Sequence, residues 1–173
     1  WVRYVHSCFL RKYRKEKDSL GTIEVPADAY FGASTQRAVN NFPVSGLRFH
    51  ASFIYSLALI KQCAAMVNNE LGLLDKKVSE PIVTSAKEIM QGKLEDQFVV
   101  DVFQTGSGTS TNMNVNEVIA SRANEIVTRK KGGKFPVHPN DHVNLGQSSN
   151  DVIPSAIHIS ALTLIKKSLI PSL

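Results

Sequence analysis

VHPNDHVNLGQSSND, from Val137 to Asp151, concentrates hydrogen-bonding side chains in a short stretch and sets how the rest of the chain is read. Its second half presents Gln147, Ser148, Ser149 and Asn150 just before the apolar run Val152 to Ile170, where a helix should begin. Ser and Asn are strong N-cap residues, so one of them can satisfy the unpaired N–H groups of that helix. One cap uses one side chain. Three such residues in a row at the positive end of a helix dipole also suit an anion, a carboxylate above all.

Upstream, Gln104 to Glu117 reads QTGSGTSTNMNVNE. Two glycines spaced by Ser107 allow a tight backbone turn. The Lys-Ser/Thr pair that completes a phosphate-binding loop is missing, so nucleotide binding is set aside. What remains is a set of neutral donors ahead of a helix expected from about Asn112 to Lys130 and closed by Gly132-Gly133. Asn112 and Asn116 lie four apart on one face, and helix-interior Asn asks for partners or a ligand.

The remaining segments read as scaffold. Asp18 to Val25 is expected to be extended, and Tyr30 to Phe42 a short surface helix whose Arg37 could aim at a carboxylate. Ala51 to Leu74 carries Phe53, Ile54, Leu57, Ile60, Ala64, Val67 and Leu71 at helical spacing, which predicts an amphipathic helix. A second helix is expected to start at Ser79 as its cap, with Pro81 in the first turn. Gln97 to Phe103 reads as a short β-rich run. Pro154 to Leu173 is apolar on more than one face and therefore expects neighbours on several sides, as if the chain were cut inside a helical bundle.

Composition limits the function classes. With 173 residues and 43% hydrophobic content, the chain can bury a core. Of its 20 basic and 15 acidic side chains, residues 1–17 hold six and one, so the remaining residues carry 14 of each. The net charge of +5 is thus confined to the N-terminal stretch, and no nucleic-acid partner is expected. Residues 1–12 are basic and free of acids, a composition shared with organelle transit peptides; they are expected to be a poorly ordered extension. Cys8 and Cys63 are too few and too far apart for a zinc or iron-sulfur ligand set, and they fit a reducing compartment. No charge-free apolar run reaches the roughly 18 residues of a membrane span, so no membrane partner is expected.

Three ordered stretches carry a family resemblance: GTIEVPADAYFGASTQRAVNNF from Gly21, QTGSGTSTNMNVNEV from Gln104, and VHPNDHVNLGQSSNDVIPSAIH from Val137. Together they resemble the N-terminal part of the class II, iron-independent fumarate hydratases of the fumarase/aspartase superfamily. The resemblance implies a mostly α fold: an N-terminal helical domain with a small extended element (13–146), then the first helix of a long-helix bundle (147–173). It implies reversible hydration of fumarate to L-malate, without metal or other cofactor, in a cytoplasmic or mitochondrial-matrix homotetramer. By position it assigns Ser107, Thr109, Asn112, Ser148, Ser149 and Asn150 to the substrate carboxylates. His138, Asn140 and Asp141 would form an outlying second anion site; the alternative for His138 is a loop histidine satisfied by backbone.

Two departures stand out. Some members carry a basic residue three positions before that His, where this chain has Phe135 beside Lys134. The family's later Thr-His pair and Gly-Ser-Ser loop, which carries the catalytic Ser, are not among these 173 residues. No catalytic residue is therefore assigned, and these residues alone are expected to be inactive. An aspartate ammonia-lyase of the same superfamily and a noncatalytic, dicarboxylate-binding helical domain are the alternatives.

Overall fold

The computed structural model describes residues 12–173, so the expected N-terminal extension lies outside the described residues apart from Lys12. The fold is mostly α with one small sheet, as expected. Strands β1 (Tyr13–Asp18) and β2 (Gly21–Pro26) form an antiparallel hairpin in which Asp18 pairs with Gly21. The extended element thus begins five residues earlier than expected, inside the basic run. There Arg14 donates to the carbonyls of Pro26, Ala27, Ala29 and Phe31, and to Glu16. A basic residue that reads as tail is spent on backbone acceptors.

Helix α1 (Ala33–Asn41) follows, and its Arg37 does find a carboxylate, that of Asp18 at 2.7 Å, which ties helix to hairpin. Helices α2 (Ala51–Glu70) and α3 (Lys76–Met90) form an antiparallel pair. On α2, Phe53, Ile54 and Leu57 are buried as expected, but the inward face continues through Ala58, Lys61 and Ala65. Val67 and Leu71 are exposed instead. The helix is apolar around much of its circumference, so periodicity alone does not choose the face; small alanines let the neighbouring helices approach closely.

On α3 the cap is Asp75, not Ser79, and Pro81 lies in the second turn. The proline leaves only the carbonyl of exposed Lys77 without a helical partner, which water can satisfy. Ser79 is buried and donates to the carbonyl of Ala65, locking α3 to α2.

Gln97 to Phe103 is not a strand. After a 3₁₀ turn (Glu95–Gln97) it runs as an irregular connection with Phe98 and Val100 in the core. Two of its backbone groups bond to the Asn114 side chain, which accepts from Val99 N–H and donates to the Gln97 carbonyl, while Val102 N–H donates to the Leu47 carbonyl. A side chain thus does the work of a neighbouring strand.

Helix α4 (Thr109–Thr128) ends at Arg129, which takes a left-handed conformation before the expected glycine stop. Arg122 clamps α4 to Glu88 of α3 at 2.6 Å. Pro139–Val143 forms a π turn, and α5 (Ser149–Leu164) runs on through a second π turn into α6 (Ile170–Ser172). α5 therefore starts before Pro154, and its Val152, Ile153 and Ala156 enter the core against α2 and α4. Fully burying a Val or Ile side chain contributes about 1.5–3 kcal/mol. By length and mean hydropathy alone the rod Ser149–Ser172 could cross a membrane, although the sequence holds no charge-free run of that length. The burial of Val152, Ile153, Ala156 and Ser160 on one face and the Lys166-Lys167 pair suit a helix that packs on protein.

Candidate functional site: two helix starts in contact

α4 and α5 begin beside one another. Gly108, the residue before α4, has φ +70°, and a Cβ built there would stand 3.0 Å from Ile153 Cδ1. The left-handed backbone and this close approach to α5 both favour glycine. The helix starts meet through their side chains. Ser107 Oγ donates to Asn150 Oδ1 at 2.6 Å, and the hydroxyls of Thr109 and Ser149 lie 3.3 Å apart. Ser148 is the α5 cap, its Oγ accepting from Asn150 N–H at 3.2 Å. Two positive helix ends and a cluster of neutral donors thereby face one small region open to solvent, a setting for carboxylate binding.

Asn112 lies one turn into α4 and is buried. Its Nδ2 donates to Asn144 Oδ1 at 3.2 Å, as does Asn116 Nδ2 at 3.3 Å. The side-chain oxygens of Asn112 and Asn116 are buried with no hydrogen-bond partner among the described residues. The pair called for partners from sequence, and the structure supplies half of them.

His138 stands apart from this cluster. It caps the π turn, its Nδ1 accepting from the N–H groups of Asn140 and Asp141 at 3.3 and 3.1 Å. A nitrogen that accepts two N–H bonds carries no proton, so the 3.2 Å approach of Asp141 Oδ2 becomes an ion pair only on protonation. Burial holds the His138 pKa below its ordinary value; Asp141 opposes this, and Lys134 and His142 add to it. Among the described residues, none of its hydrogen bonds reaches the helix-start cluster. His138 is thus bonded to the backbone of its own turn.

One buried group escaped the sequence reading. Lys61 of α2 is 0% exposed, and its ammonium donates to Asn144 Oδ1 at 2.8 Å and Gln147 Oε1 at 2.9 Å. The signal was its place on the Leu57–Ala65 face, four residues from each.

The model of the family described as Lyase matches residues 21–173. The chain belongs to this lyase family. Among curated relatives of this lyase chain, a class II fumarate hydratase of Halobacterium salinarum is 55% identical over 161 residues, covering 93% of this chain and 34% of the relative. One of Nitrosomonas europaea is 55% identical over 164 residues, covering 94% of this chain and 35% of its own length. The crystal structure of a recombinant class II fumarase from Schistosoma mansoni superposes with a TM-score of 0.90 at 44% identity, covering 93% of this chain and 34% of that one. The lyase chain thus spans about a third of the length of the curated relatives it matches. The resemblance and the mostly α fold implied by its motifs are both shown.

Proposed function

We propose that the chain is part of a fumarate hydratase and supplies the loops that hold the substrate's carboxylates. The observation that supports this best is the meeting of the α4 and α5 starts, with Ser107, Thr109, Ser149 and Asn150 in mutual contact. Fumarate presents two carboxylates, and uncharged hydroxyl and amide donors at helix N-termini can bind them without a metal.

The reaction explains why such donors are wanted. In the malate-to-fumarate direction a base takes the proton from the carbon beside one carboxylate, and the electron pair spreads into that carboxylate as a doubly charged aci-carboxylate. The pair then returns to form the double bond as the neighbouring hydroxyl leaves, protonated, as water. Donors aimed at the aci-carboxylate are worth more in the transition state than in the ground state. Ser107, Thr109, Asn112, Ser148, Ser149 and Asn150 fill this role. His138, Asn140 and Asp141 form the outlying anion site, where an arriving anion would compete for the Asn140 and Asp141 N–H groups now bonded to His138. In the same proposal residues 13–146 are the N-terminal lyase domain and 147–173 open the bundle domain of a cytoplasmic homotetramer serving the tricarboxylic acid cycle. The proton-abstracting base comes from outside these residues.

The test is a chimera in which residues 21–173 replace the matching segment of the Nitrosomonas europaea relative. It is expected to hydrate fumarate without added metal. Absence of fumarate turnover in a folded chimera, or elimination of ammonia from L-aspartate in its place, would overturn the proposal.

A further inference from the structure

Among the described residues Lys61 heads the largest fully buried side chains, and no carboxylate there pairs with it. The charged groups of the surrounding elements are engaged elsewhere or face solvent. Glu80 and Glu88 of α3 pair with Lys76 and Arg122, and Glu117 of α4 is bonded to the start of α1. His142 accepts from the His138 N–H, and Asp151 at the head of α5 is exposed. His158 of α5 is exposed as well. An unpaired buried cation is costly, and such groups are kept where they have a task.

The geometry shows what Lys61 holds. An ammonium cannot face an NH₂ group, so its 2.8 Å contact turns the Asn144 oxygen toward Lys61. That same oxygen accepts from Asn112 and Asn116, which fixes both of those amides and turns their own oxygens away. The second contact, to Gln147, grips the residue directly before Ser148-Ser149-Asn150. One cation therefore ties α4, three residues past Thr109, to the loop that opens α5.

We propose that Lys61 is a positioning residue of the carboxylate site, locking the two donor loops together through Asn144 and Gln147 and supplying the positive charge that balances a bound dicarboxylate. The proposal rests on the fumarate hydratase reading for the identity of the ligand. The loops themselves offer only neutral side chains and helix dipoles, and among the described residues Lys61 is the full positive charge that hydrogen-bonds to the loop opening α5.

Linkage follows. Burial lowers the Lys61 pKa to about 7, so in the free protein its charge is balanced within the neutral range. A nearby dianion favours the charged form, so binding takes up a proton above neutrality and weakens as pH rises. Reciprocally, the ligand raises the Lys61 midpoint.

The experiment follows the side-chain amide signals of Asn112, Asn116 and Asn144 in the full 173-residue chain by ¹H–¹⁵N NMR across the neutral range, with and without millimolar fumarate. The expected result is a common midpoint near 7 that fumarate moves upward, and its loss in Lys61→Met. A lysine that merely packs would leave these amides flat with pH, and that outcome overturns the proposal. So does a titration that persists in Lys61→Met, or fumarate binding, seen at Thr109 and Ser149, that leaves the wild-type midpoint in place. Should fumarate perturb no signal while the amides titrate with Lys61, the ligand assignment falls along with the charge-balancing role, and only the loop lock is upheld. The wild-type arm needs no variant, so it decides even if Lys61→Met fails to fold.

Discussion

Ser107 and Asn150 stand 43 residues apart in the chain, yet the hydroxyl of one donates to the side-chain oxygen of the other at 2.6 Å. This bond joins the turn before α4 to the first turn of α5, and the neighbouring Thr109 and Ser149 hydroxyls lie 3.3 Å apart. Whatever binds here meets both loops at once.

Thr109→Ala in the chimera is expected to lower kcat by on the order of 100-fold while KM changes little, because the hydroxyl matters most as charge develops on the carboxylate. Steady-state hydration of fumarate, followed by its ultraviolet absorbance, measures both constants. A raised KM with kcat intact would instead make Thr109 a ground-state contact.

Glu117 holds the start of α1. Its carboxylate accepts from the N–H groups of Gly32, Ser34 and Thr35 and from the Thr35 hydroxyl, at 2.6–3.0 Å. Glu117→Ala leaves all four donors unpaired, the two of Thr35 in a buried setting, and is expected to destabilise the fold by roughly 3–5 kcal/mol. Glu117→Gln, which keeps one acceptor, should lose less. Urea unfolding of the three proteins provides the comparison.

Asp101 accepts from Phe103 N–H, from Ser45 N–H and hydroxyl, and from Gly46 N–H. These bonds, that of Phe103 first, outweigh the opposing effect of burial and lower its pKa to about 2. A depressed carboxylate contributes stability that is present above its unfolded value of about 4 and is lost as pH falls through the folded value. The stability gap between wild type and Asp101→Asn should therefore be widest near neutrality and close as pH falls toward 2. Urea midpoints at the two ends check it, and a gap independent of pH would contradict the assignment.

The rod Ser149–Ser172 presents Ile157, Leu162, Ile165, Leu169 and Ile170 to solvent. An apolar strip of this kind drives association. The chain is expected to sediment with concentration-dependent mass, and Leu162→Lys with Leu169→Lys should shift it toward monomer. A monomeric wild type at high concentration would show that the strip is inert.

Local chemistry was legible in the sequence. The Gly-Ser-Gly-Thr turn, the Ser-Ser-Asn helix start and the long helix from Ala51 follow from capping, glycine geometry and periodicity, which operate over a few residues, while the mostly α class came with the family resemblance of the three motifs. The tertiary structure decided what depends on distant partners. Gln97 to Phe103 has the β-branched and aromatic character of a strand, yet finds the Asn114 side chain instead of a strand edge. Val67 and Leu71 keep the helical period but point outward, because α2 is apolar around much of its circumference and its neighbours chose the Ala58–Ala65 face. Lys61 illustrates the limit most sharply. A lysine in an amphipathic helix reads as solvated surface, and only the arrival of Asn144 and Gln147 from more than 80 residues away supplies the acceptors that let its charge be buried. Spacing along a chain encodes which groups can share a face; which groups are desolvated together is settled when the faces pack.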